Sequence, residues 1–343
     1  MTSENIYRHI LIDEQSITPK YLQIAYSILR AMENGHIGKD YVLPSINDLS
    51  FELSIARDTA ERAYRQLKKQ GVVGSIPGKG YFIANTEIQK LIRVFLLFNK
   101  LSAHKKIIYD AFAATLGEHA AIDFYIYNND FSLFRKLVRN RKEGYTHHVI
   151  IPHFLEGGEH AAEVINAIGE GQLILMDKLI PGIHRTYGAV YENFEKDIFH
   201  ALKEALPQLS RYHTLKLVFH PQRYFPEEIR FGFEKFCSEY AFNRSIVEDI
   251  SSGQIRQGEA YINLMEDDLI SLLEKVQSSD LLLGQDIGII SYNETPWKRF
   301  ILDGITTIST DFRAMGELAA KMILNHEQKQ TEVPFALTLR NSL

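Results

Sequence analysis

The chain has 343 residues, 45% of them hydrophobic, and a formal net charge of −5. That length predicts two or three domains with ordinary packed cores. The single cysteine, Cys237, excludes an internal disulfide and fits a reducing compartment. The first sixteen residues lack a signal-peptide core, and no apolar run approaches the roughly 20 residues of a membrane span. A cytoplasmic protein without a membrane partner is therefore expected. Charge is split unevenly: residues 1–85 carry a net +1 and the remainder −6. That pattern suits a DNA-binding module carried by a body that does not bind DNA.

Residues 1–17 read as a loose arm. Thr18 is placed as an N-cap and Pro19 as the first residue of a helix over 19–34, which puts Leu22, Ala25, Leu29 and Met32 on one stripe. Ser45, with Asp48 three residues on, caps a short helix that turns Leu49 and Leu53 inward. A longer helix over 56–70 aligns Ala60, Ala63, Tyr64 and Leu67, and Gly71 ends it. Two strands, 72–76 and 81–84, are joined by Pro77-Gly78-Lys79-Gly80. Three helices and a hairpin make a winged helix-turn-helix over residues 1–84. One helix fits a major groove and reads it with its N-terminal side chains, here Arg57, Asp58, Thr59 and Arg62. Arg57 suits a guanine edge and Asp58 a cytosine amine. The Gly78-Lys79-Gly80 tip lets backbone approach a phosphate or enter the minor groove. From Arg57 to Gly80 six basic residues face two acidic ones. The plainer alternative is a solvated charged face, but the basic residues coincide with the helix that should be exposed.

Residues 85–91 are polar and read as a linker. Beyond them strands are predicted at 93–98, 122–127, 148–151, 173–176, 215–219, 245–250, 260–264 and 286–292. Helices are predicted at 104–116, 131–139, 159–168, 194–206, 226–240, 267–276 and 311–324. Such alternation implies βαβ units. Their number exceeds one compact unit, so residues 92–343 are expected to form two parallel-sheet α/β lobes with a ligand cleft between them. Ligands in such sheets bind beyond the carboxyl ends of strands. Asn99, His153, Asp177, Glu266 and Asn293 fall there, with Asp267 alongside and Arg230 opening a helix. Hydrogen-bonding side chains suit sugar hydroxyls, and a ring such as Trp297 suits the C–H face of a sugar. Each has a plainer alternative: a salt bridge for Arg230, a loop cap for Asp177, packing for Trp297. His147, His148 and His153 keep no metal-ligand spacing. Glu266-Asp267-Asp268 is explained equally well as an acidic helix start. Gly78-Lys79-Gly80 joins two strands and is no dinucleotide loop. No catalytic motif, metal or cofactor is predicted. With no basic cluster among these residues, a neutral monosaccharide is favoured over a sugar phosphate.

The stretches PKYLQIAYSILRAMENG, LPSINDLS, ARDTAERAYRQLKKQGVV and GKGYF resemble the DNA-binding domain of the GntR family of bacterial transcription regulators. The resemblance implies that Arg57, Thr59, Gly78 and Gly80 contact DNA, with Ser45 and Asn47 beside them. It departs in two places: Asn47 stands where an arginine is usual, and Ala56 where serine or threonine is usual. The body resembles the LacI-type effector domain, itself similar to type I periplasmic sugar-binding proteins. Four stretches carry that likeness: Arg230-Phe231-Gly232-Phe233, Glu266-Asp267, Ser291-Tyr292-Asn293-Glu294, and Gly304 to Ile308 followed by Met315-Gly316. The joint architecture is similar to that of the arabinose repressor of bacilli. It implies a homodimer on a double-stranded DNA operator, repressing carbohydrate-utilisation genes under a sugar such as L-arabinose or L-fucose. The competing class is a sugar-processing enzyme or transport component fused to a DNA-binding head.

Overall fold

The structure is a computed structural model that describes residues 5–78, 80–86, 91–220, 225–251 and 253–343. The N-terminal head contains α1 (Lys20–Glu33), α2 (Ile46–Glu52), α3 (Arg57–Lys69) and the antiparallel pair β1 (Val73–Ile76) and β2 (Gly80–Ile83). Its core holds Ile24, Ile28, Leu49, Ala60, Ala63, Tyr64 and Leu67. Ser45 caps α2 as expected, its hydroxyl accepting from Asp48 N at 3.1 Å. Gly71 follows α3 with a φ of 72°, the left-handed conformation in which glycine carries no Cβ penalty.

The first lobe has β3 (Ile92–Phe98), α4 (Ala103–Leu116), β4 (Ala120–Ile126), α5 (Phe131–Arg139), β5 (His147–Ile150), α6 (Ala161–Asn166), β6 (Gln172–Asp177) and β7 (Gly188–Tyr191). The second has α7 (Phe194–Glu204), α8 (Leu206–Leu209), β8 (Thr214–Val218), α9 (Glu227–Glu239), β9 (Asn243–Val247), β10 (Glu259–Asn263), α10 (Glu266–Gln277), β11 (Ile287–Tyr292) and β12 (Thr306–Thr310). The chain then returns to the first lobe for α11 (Phe312–Leu324) and β13 (Gln330–Glu332), and ends in the second with β14 (Phe335–Thr338). Sheet orders are β13-β7-β6-β5-β3-β4 and β14-β12-β11-β10-β8-β9; only the β12–β14 pair is antiparallel within them. Each sheet lies between helices. In the first lobe α4 and α11 cover one face and α5 and α6 the other.

Three crossovers therefore join the lobes, at residues 191–194, 310–312 and 332–335. They are tied together by Val333 N to Tyr191 O and Asp311 N to Pro334 O, both 2.9 Å. Gly232 and Gly316 sit where helices touch. A Cβ at 232 would run into the Glu195 carbonyl, and one at 316 into the Ile108 carbonyl. The strands β7, β12, β13 and β14 were not among the predicted elements. Each is only three to five residues long and borders one of these crossovers.

Two local expectations are corrected. The segment before α1 is not a loose arm over its described part, because Ile6 and Ile10 are buried in the head core. Nor does Thr18 cap α1, whose cap position is Pro19 with no side-chain bond. Its hydroxyl donates instead to Ile122 O (3.0 Å) and accepts from Phe124 N (2.9 Å), while Ile17 N donates to Phe124 O (2.8 Å). The arm thus covers the exposed edge of β4, an edge strand whose unpaired backbone groups need partners. Tyr125 OH to Asp13 (2.9 Å), Lys69 to Glu118 (2.8 Å) and Arg93 to Glu33 (3.6 Å) add to the contact between head and first lobe. Residues 87–90 of the expected linker lie outside the described residues.

Candidate functional site: an interlobe cleft behind a winged head

Asn99, His153 and Asp177 stand at or just past the carboxyl ends of β3, β5 and β6; Glu266, Asp267 and Asn293 follow β10 and β11. All six line one cavity of about 540 Å³ between the lobes. Asp177 and Asn293 adopt φ of 75° and 64°, a left-handed turn that asparagine and aspartate tolerate best. Arg230 and Trp297 do not line it. Arg230 pairs along its own helix with Glu227 (2.8 Å) and Glu234 (3.2 Å). Trp297 packs on the second lobe's core, a cluster that includes Leu269 and Ile305, and its neighbour Lys298 takes the cleft position instead. Phe194, Phe225, Tyr292 and Phe312 are the aromatic side chains lining the cavity.

The floor on the first lobe is charged but internally matched. Asp177 accepts from Lys105 Nζ, and His153 Nε2 lies 3.1 Å from the same carboxylate oxygen. Burial raises the Asp177 carboxyl, but Lys105 and His153 outweigh it and hold the group well below the ordinary carboxylate range. Glu192, on the first crossover, moves the other way: burial first and the Asp177 charge second push it well above its usual value. His104 stacks on Phe312 at 4.8 Å and is brought down to about 3 by burial and by Lys105, so it is neutral. On the second lobe Lys298 donates to Tyr292 O (3.1 Å) and Asn293 O (2.5 Å), and burial lowers it to about 8.

Four polar atoms on the cavity wall are buried with no hydrogen-bond partner among the described residues: Asn99 Oδ1, Tyr292 OH, Asn293 Oδ1 and Thr295 Oγ1. Such groups cost about 1–3 kcal/mol each unless something satisfies them. They sit on both lobes, so a ligand bearing several hydroxyls meets complementary atoms on either side. His104, Lys105, Glu192, Tyr292, Thr295 and Lys298 were not among the predicted site residues. Glu192 had no signal, since β7 before it was not recognised. Lys105 and Lys298 sit one turn inside helical segments rather than at a strand end.

In the head, Arg57 is two-thirds exposed at the start of α3, and its Nε donates to Asn47 Oδ1 at 3.2 Å. Asn47 therefore orients the arginine. Asp58 is exposed and Thr59 half-buried on the same turn. The guanidinium of Arg62 lies 4.3 Å over the ring of Tyr21, which draws it toward α1. Gly78 and Gly80 take φ of 78° and 88° in the wing turn; Lys79 between them lies outside the described residues. The hydroxyl of Ser45 is engaged in its cap.

A winged helix-turn-helix head on a two-lobed, three-crossover α/β body defines the architecture. Residues 20–83 match the family described as bacterial regulatory proteins, gntR family, so the head is a GntR-type helix-turn-helix domain. The repressor NagR of Bacillus subtilis is 26% identical over 89 residues, 26% of this chain and 37% of NagR. The chain thus matches little more than a third of that relative, and the match falls short of its remaining length. The body is similar to a LacI family transcriptional regulator from Enterococcus faecalis solved with bound ribose: 16% identity, 73% of this chain and 98% of that one, TM-score 0.58. It is also similar to the lac repressor dimer bound to operator and an anti-inducer: 14% identity, 74% and 94% coverage, TM-score 0.62. At those identities the likeness establishes the LacI-type fold of the body. No helix among the described residues is long and apolar enough to cross a membrane.

Proposed function

We propose that the protein is a transcriptional regulator, a repressor of carbohydrate-utilisation genes, whose grip on DNA is set by a neutral monosaccharide held between its lobes. The observation that carries this reading is the set of unpartnered buried polar atoms on both walls of the cleft, in a chain that also has a GntR-type head. Neutrality follows from the charge accounting of the cavity. Lys105 is spent on Asp177 and Lys298 on two carbonyls, exposed Lys100 is not free either, and the carboxylates of Glu266 and Asp267 line the same space. A phosphorylated sugar would find repulsion there rather than a cradle.

Asn99, His153, Asp177, Glu266, Asp267 and Asn293 bind the sugar in this account, with Phe225 and Phe312 against its C–H face. Arg57, Asp58, Thr59 and the wing glycines meet the operator. Two heads of a homodimer read two half-sites. Closure on the sugar rotates the lobes about the crossovers. The head moves with the first lobe because the arm at residues 16–18 is bonded to β4, so the separation of the two heads changes. The sugar releases DNA to the extent that it prefers the closed form.

The test is calorimetric titration of the chain with free monosaccharides, L-arabinose and L-fucose first. One sugar should bind saturably, be recovered unchanged, and dissociate the protein from its operator. Conversion of the sugar would favour an enzyme instead.

A further inference from the structure

A second cavity, of about 500 Å³, opens on the outer face of the first lobe between α5 and α6. It shares no lining residue with the interlobe cleft. Arg135, Arg139, Arg141 and His160 border it, with one carboxylate, Glu163, and the apolar side chains of Phe131 and Val164. Residues 135–142 hold five Lys or Arg and no acid, in a body whose net charge is −6. Cations on helices elsewhere in the body are neutralised locally: Lys106 by Asp110, Lys235 by Glu195, Arg313 by Glu317. None of the five at 135–142 makes an ion pair with a described residue.

The arginines are also partly organised. Arg141 donates from Nε to His148 Nε2 (3.1 Å) and from Nη1 to Val138 O (2.6 Å), which fixes its plane and leaves Nη2 unspent. His148 accepts because burial, followed by Arg141 and Arg185, keeps it neutral. Glu163 is itself engaged by His160 at 3.5 Å. Arginines bordering one concave site match the oxygens of a phosphate, and the apolar side chains suit a small carbon skeleton.

We propose that this pocket binds a small phosphorylated metabolite, giving the regulator a second effector distinct from the sugar of the cleft. The test titrates the full chain at low salt with a hexose 6-phosphate, with inorganic phosphate and with the parent hexose. The hexose phosphate should bind saturably and more tightly than inorganic phosphate. The exposed pair Arg135→Gln/Arg139→Gln should weaken it about 30-fold, as the loss of charge-assisted contacts implies. Asn99→Ala/Asn293→Ala, which alters only the cleft, should leave it unchanged, so failure here and failure of the sugar reading are separable. Silence of both phosphate probes overturns the proposal. So does equal affinity for the two, which would mean an anion site without metabolite recognition. Loss of binding in the cleft variant alone would move the ligand to the cleft. A fall in DNA affinity and in its salt dependence on losing the arginines, with the phosphate probes silent, would make the patch a DNA-backbone contact instead.

Discussion

The interlobe cleft and the α5–α6 pocket both contain basic side chains, yet those charges are compensated differently. In the cleft, Lys105 and Lys298 already have partners, and what remains unsatisfied is neutral: two amide oxygens and two hydroxyls. In the outer pocket Arg135, Arg139 and Arg141 make no ion pair with a described residue. A count of basic residues would rank the two alike. What separates them is whether each charge is already compensated inside the protein, because a compensated charge has little attraction left for a ligand.

The sharpest way to break that contrast is Lys105→Met. Asp177 would be left buried with only His153, and unfolding in urea should show a loss of about 3–5 kcal/mol. Arg135→Gln, at an exposed unpaired cation, should stay within about 0.5 kcal/mol of the parent. A loss of under about 1 kcal/mol for Lys105→Met would mean that the cleft pair is not compensated in the sense argued. Acid sharpens the same point. Because Asp177 is depressed in the folded state, its contribution is complete above its ordinary value of 3.8 and is lost as pH falls below it toward the folded value. Glu192 carries the opposite sign: raised on folding, it costs stability as pH climbs above 4.5. Glu192→Gln should therefore gain on the parent at pH 8 relative to pH 4, in paired unfolding curves.

Smaller effects belong to single contacts. Asn99→Ala and Asn293→Ala, at the unpartnered oxygens, should each weaken the sugar about tenfold by calorimetry, with a lower melting temperature for Asn293→Ala, whose left-handed φ of 64° alanine tolerates less well. Thr18→Val removes two bonds between the arm and β4 at about 1 kcal/mol each. DNA affinity without sugar should change little, while the drop in affinity on adding sugar should shrink, as read by fluorescence anisotropy.

Local rules made much of this molecule legible. The apolar spacing of Ala60, Ala63, Tyr64 and Leu67, the Ser45 cap and Gly71 place the head's elements within a residue or two. Strand-end position alone gathered Asn99, His153, Asp177, Glu266 and Asn293 around one cavity, because a parallel sheet puts all its carboxyl ends on one side. What stayed hidden is what folding brings together from afar. Lys105 meets Asp177 across 72 residues, and Thr18 meets Phe124 across 106. Glu192 and Phe312 enter the cleft only because the chain crosses between lobes three times. Arg230 drew notice by the LacI-type resemblance and Trp297 as the one tryptophan, but one pairs along its helix and the other packs on a core.

The central claim is that one neutral sugar, bound in the cleft, loosens the head from DNA. The most direct measurement is anisotropy of a labelled operator, selected with the protein itself from genomic fragments, titrated with and without the sugar found by calorimetry. The account predicts weaker DNA binding with the sugar for the parent chain, and no sugar effect for Asn99→Ala/Asn293→Ala at the same sugar concentration. DNA binding unchanged by a sugar that demonstrably occupies the cleft would contradict it.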